Sequence, residues 1–150
     1  MPTHRVVSRV EASPETVWAV LLDKMEHPHR YIEDALDAEI LDRLPDGVIR
    51  RMTLPGGVDF KEHISADPEA QSITFTLLDH PVYEGTVRNE LQRAQDGGVE
   101  LAFVLDWRIR PGCVDERDPE ELPALIRSSV LHTKRIAEAL EQPNPGPSRA

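Results

Sequence analysis

Val99-Glu100-Leu101-Ala102-Phe103-Val104-Leu105-Asp106-Trp107-Arg108-Ile109-Arg110 decides the fold. Val99, Leu101, Phe103, Leu105, Trp107 and Ile109 fall on one face, and Glu100, Asp106 and Arg108 mark the other. That period of two is the pattern of a strand with one buried side. Asp96-Gly97-Gly98 just before it is a hairpin turn, so residues 84–95 should form the preceding antiparallel strand. Pro111-Gly112 ends the run. Beyond it the period changes. Asp118-Pro119-Glu120-Glu121 resembles a capping box, and Leu122, Leu125, Ile126, Ser129, Thr133, Ile136 and Leu140 recur at helical spacing. A long helix over 123–141 follows, and its stripe needs an apolar surface to cover. The strand 99–110 is expected at the heart of the sheet that provides it.

Working outward, residues 4–12 alternate with Val6, Ser8 and Val10 on one side. Ser13-Pro14-Glu15 then reads as a helix start: a serine N-cap, proline at the first position and an acid in the first turn. Val17, Trp18, Leu21, Leu22 and Met25 form the stripe of that helix, and His27-Pro28-His29 ends it. A short helical turn is expected over 29–33. Strands are expected at 36–43, 48–54, 58–66 and 72–78. Turn residues separate them: Pro45-Asp46-Gly47, Pro55-Gly56-Gly57 and Asp67-Pro68-Glu69. The whole reads as α+β: a curved antiparallel sheet of seven strands around a long C-terminal helix, with two short helices after the first strand. Residues 1–141 are read as one domain. The tail 142–150, rich in proline and polar residues, is expected to be disordered.

The 150-residue chain suits a single domain with its own core. Its one cysteine, Cys113, allows no internal disulfide and has no sign of activation around it. The net charge of -10 argues against nucleic acid as a partner. No apolar run reaches the length of a membrane span, and the first residues lack a signal-peptide pattern, so a cytoplasmic location is expected. His27 and His29 are too few for a metal site, and no HExxH or paired-cysteine spacing occurs. Nucleotide-binding glycine loops and the GxSxG elbow are also missing. No cofactor and no metal are expected.

The order of elements, the Ser13-Pro14-Glu15-Thr16-Val17-Trp18 opening of the first helix and the terminal helix resemble the START/Bet v 1-like (SRPBCC) helix-grip superfamily. Arg51, Glu62 and Thr86-Val87-Arg88-Asn89 are similar to its uncharacterised AtaL-like subgroup, named for a protein encoded with fungal acetylaranotin biosynthesis. The resemblance implies a cavity between the concave face of the sheet and the long helix, with a small hydrophobic ligand as partner.

Polar groups on inward faces are then the candidates for a site. Glu62 shares a face with Val58, Phe60 and Ile64. Three readings stand for it: a water-reached rim position, an orienting or acid/base carboxyl, or a buried pair with Arg50 or Arg51. The strand phase does not choose between those arginines. Asn89, beside Val87 and Leu91, is a core amide or a ligand contact, and Trp107 is core or platform. Ser129, His132 and Thr133 place polar groups on or beside the inner stripe of the last helix. The expected ligand-binding set is Arg51, Phe60, Glu62, Phe75, Asn89, Leu91, Phe103, Trp107, Ser129 and Thr133. The leading expectation is binding of a small, mostly apolar molecule. The alternatives are a polyketide cyclase, aromatase or dehydratase-like enzyme with Glu62 as acid/base, and an interaction module with a collapsed core.

Overall fold

The computed structural model describes residues 4–27, 37–54, 58–114 and 120–141. The element order is β1 (His4–Val10), α1 (Pro14–Glu26), β2 (Asp37–Leu44), β3 (Gly47–Leu54), β4 (Val58–Asp67), β5 (Ser72–Leu77), β6 (Tyr83–Arg93), β7 (Val99–Ile109) and α2 (Glu121–Glu141). The seven strands form one antiparallel sheet in the order β1-β7-β6-β5-β4-β3-β2. Consecutive strands from β2 to β7 are neighbours, while β1 adds to the outer side of β7. The strand 99–109 is therefore interior but second from an edge rather than central. The alternation of β1 lets it pair along the whole free side of β7, from His4 opposite Leu105 to Val10 opposite Val99. The expected helical turn at 29–33, the Asp118 cap and the tail 142–150 lie outside the described residues.

The expected N-cap forms at α1: the Ser13 Oγ accepts from the Thr16 N–H at 3.2 Å, with Pro14 in the first turn. α2 packs on β1 and β7, and α1 on α2, β5 and β6. The far end of α2 fastens the start of α1. The Glu141 carboxylate accepts from the Ser13 N–H and from Thr16 Oγ1, and Glu138 accepts from the Glu11 N–H at 2.8 Å. The bonds from Ser13 hold the Glu141 carboxyl below its ordinary range.

The inner stripe of α2 differs from the expected one. Ile126, Val130, Thr133 and Ala137 are buried, whereas Leu125 and Leu140 are 38% and 67% exposed. The real stripe follows steps of four, three and four residues. Ala137, fully buried in the larger core cluster, is too small for apolar size alone to mark it as part of the stripe.

Two apolar clusters fill the interior. The larger joins α1 and α2 to β5, β6 and β7 through Val17, Leu21, Ile73, Leu101, Phe103, Ile126 and their neighbours. The smaller comprises Met52, Phe60, Leu77 and Tyr83. Trp107 and Leu122 touch both.

Candidate functional site

Register brings the inward polar side chains to the seam between those clusters. Arg50 on β3 is directly opposite Glu62 on β4, and Asn89 on β6 is opposite Phe103 on β7. Val48, Arg50 and Met52 are all buried, which fixes the phase of β3 and sends Arg51 to the other face. There Arg51 meets Asp59 at 3.1 Å and Glu39 at 3.6 Å. Arg51 is thus removed from the site and Arg50 takes its place.

Arg50 is 1% exposed, and all three of its guanidinium nitrogens donate hydrogen bonds. Nε donates to Glu62 Oε1 at 3.0 Å and Nη2 donates to the same oxygen. Nη1 donates to the Lys24 and Met25 carbonyls at 3.0 and 3.1 Å, two of the acceptors left open at the C-terminal end of α1. A cation there also opposes the negative end of the helix dipole. Of the three readings for Glu62, the structure shows the buried ion pair with Arg50.

Lys24 is absent from the set expected from the sequence. It is 4% exposed, on the inner side of α1 with Val17, Val20, Leu21 and Met25. Its Nζ donates to Asn89 Oδ1 at 2.9 Å and to Ser129 Oγ at 3.1 Å, and lies 4.1 Å from the centre of the Phe103 ring. Burial, and then the charge of Arg50, push the Lys24 amine down from 10.5 to about 7, against a smaller upward pull from Glu62. The sequence does carry a signal: position 24 follows Val17 by seven and Leu21 by three residues, which is the buried stripe. Residue type points the other way, because lysine is normally exposed.

These groups border a cavity of ≈ 100 Å³, lined by Lys24, Arg50, Met52, Phe60, Glu62, Phe75, Val87, Asn89, Trp107, Leu125, Ile126 and Ser129. Phe60, Glu62, Phe75, Asn89, Trp107 and Ser129 of the expected set meet there. Leu91, Phe103 and Thr133 do not line it. Leu91 and Phe103 are core residues packed among neighbouring apolar side chains, and Thr133 donates back to the Ser129 carbonyl at 2.9 Å. Trp107 is opposite Gly85, so the partner strand places no side chain there. Two buried donors on the wall, Asn89 Nδ2 and Trp107 Nε1, have no hydrogen-bond partner. No cluster of metal-ligating side chains occurs among the described residues. No helix among them is long and apolar enough to cross a membrane.

A sheet gripping a long terminal helix, with a cavity between them, defines the START-like helix-grip class. The family described as acetylaranotin biosynthesis cluster protein L (AtaL) matches residues 6–140, and the chain belongs to that family. No curated protein sequence matches it. Among solved structures it is similar to TTHA0849 from Thermus thermophilus, with a TM-score of 0.75, 15% identity, and coverage of 94% of this chain and 100% of the other. The Zhui aromatase/cyclase from Streptomyces sp. R1128 gives 0.71, 16%, 93% and 93% in the same order. A START superfamily protein from Mycobacterium smegmatis gives 0.65, 17%, 93% and 96%. At these identities the likeness establishes the fold.

Proposed function

We propose that the protein binds a small, mostly apolar molecule that carries a hydrogen-bond acceptor, with the acceptor directed at the inner wall of the cavity. One observation carries this reading. Asn89 Nδ2 and Trp107 Nε1 are buried and unpartnered in a cavity whose other walls are largely Met52, Phe60, Phe75, Val87 and Ile126. A buried donor without a partner costs about 1–3 kcal/mol, and a ligand oxygen recovers it. The ≈ 100 Å³ space is smaller than the roughly 150 Å³ that holds benzene in an engineered cavity. It therefore suits a compact ligand or the inner end of a longer one that leaves past the partly exposed Leu125.

Calorimetric titration with methyl benzoate and propylbenzene tests the reading. The ester should bind more tightly by about 3–10-fold, the worth of one net hydrogen bond. Asn89→Leu and Trp107→Phe should each erode that preference. Equal affinities for the pair, or none for either, would count against it.

A second reading, an enzyme of the cyclase, aromatase or dehydratase kind, draws support from Glu62 lining the same wall as Lys24 and Asn89. Glu62→Gln keeps the shape of the side chain. A loss of about a hundredfold or more in turnover with binding intact would establish Glu62 as an acid/base, whereas binding alone predicts a modest shift in affinity.

A further inference from the structure

The chain has three lysines, Lys24, Lys61 and Lys134. The side chains of Lys61 and Lys134 are 49% and 29% exposed, and each lies near a carboxylate. Lys24 is buried, borders the ligand cavity, and donates to two neutral acceptors, Asn89 Oδ1 and Ser129 Oγ, rather than to a carboxylate. Two acceptors match the two N–H groups of a neutral amine and leave its lone pair available; an ammonium has a third N–H to satisfy. The Phe103 ring, 4.1 Å away, favours the ammonium, whereas burial and the charge of Arg50 push the amine toward its neutral form. A neutral buried amine is the activated form of a lysine nucleophile.

We propose that the Lys24 amine captures an aldehyde or ketone in this cavity as an imine. This rests on the ligand-binding reading above and names the ligand's reactive group. The nitrogen lone pair adds to the carbonyl carbon, and the former C=O pair becomes a carbinolamine oxygen. That oxygen leaves as water with the two amine hydrogens, so one carbonyl and one amine give one imine and one water. Asn89 supports both stages: its Oδ1 holds the amine, and its unpartnered Nδ2 is available to a carbonyl or carbinolamine oxygen. The charged groups around the amine are Arg50 from β3 and Glu62 from β4. β6, β7 and α2 present Asn89, Phe103 and Ser129 to it.

The experiment is reductive trapping of the full chain with butanal and cyanoborohydride, followed by peptide mapping that separates the three lysines and the N-terminal amine. At pH 7 Lys24 should be labelled at least about tenfold faster than Lys61 or Lys134, since ordinary lysines are almost wholly protonated there. The ratio of its rate to theirs should fall as pH rises from about 7 toward 10, because their neutral fraction keeps growing after that of Lys24 has saturated. Excess methyl benzoate, which forms no imine under these conditions, should protect Lys24 alone. Lys24→Arg should remove the fast label, and protection of the wild type provides a check that does not depend on that variant folding. Labelling of Lys24 no faster than Lys61 would overturn the proposal. If methyl benzoate still binds in that case, imine capture fails by itself; if it does not, the cavity reading fails with it.

Discussion

Arg50 and Glu62 show how much one register position matters. Both are buried, and they answer each other directly across β3 and β4. Removing one partner strands a charge, at a cost of about 3–5 kcal/mol, whereas replacing both by apolar residues is often near neutral. Glu62→Leu and Arg50→Met should each lose stability on that scale in urea titration, and the double variant should recover most of it. Arg50→Met carries the added cost of uncapping α1, so the recovery should be incomplete. Lys24 makes a prediction of different sign. Below about pH 7 its amine is protonated in both the folded and the unfolded chain, so the full cost of burying that charge opposes folding. Between about 7 and 10.5 the unfolded chain holds a proton that the folded chain lacks, so stability rises with pH. Wild type should gain on the order of a few kcal/mol relative to Lys24→Met across that window. Parallel stability curves for the two proteins would refute the depressed amine. The sequence makes Glu62, Asn89 and Trp107 visible as polar groups among inward apolar ones. It leaves Arg50 and Arg51 undecided, because adjacent arginines carry no alternation of their own and the register of β3 comes from its neighbours.

The elements are legible wherever one period runs unbroken. β7 and the N-cap of α1 appear at the expected positions because alternation and capping are local properties. The face of α2 is less legible, since helix rotation is set by what it packs against. This difference is measurable. Ile126→Ala should cost about 2–5 kcal/mol, whereas Leu140→Ala, at an exposed site, should stay within about 0.5 kcal/mol of wild type. If the two losses are equal, the buried stripe has been misassigned. Gly85 is a second element-scale test. It holds φ at 127°, and a side chain there would run into the Asp106 carbonyl on β7. Gly85→Ala should therefore lose more than about 1 kcal/mol and disturb Trp107, its partner across the ladder, with a change in tryptophan emission as the second readout.

At the scale of the whole molecule, the cavity exists because two apolar clusters meet without fully merging. α1 delivers Lys24 from one side, α2 delivers Leu125, Ile126 and Ser129 from another, and the inward face of the sheet closes the rest. Pairing of β1 with β7 sets where α1 begins, and Glu141 ties the far end of α2 back to that start. The cavity therefore depends on contacts between the two ends of the chain, which no local pattern contains. Its volume is open to a direct test. Val87 is on the wall, partly buried, opposite Phe75 on β5. Val87→Phe places added side-chain volume in the void without removing a polar partner. A packed void gains contacts that an empty one forgoes, so the variant should keep its melting temperature or raise it slightly. The same filling should abolish methyl benzoate binding and, with it, the ligand's stabilisation of wild type, which at a hundredfold excess over Kd amounts to about 2.7 kcal/mol. Loss of binding with the fold intact locates the ligand in this cavity. Unchanged binding in a well-folded Val87→Phe protein would place it elsewhere on the molecule.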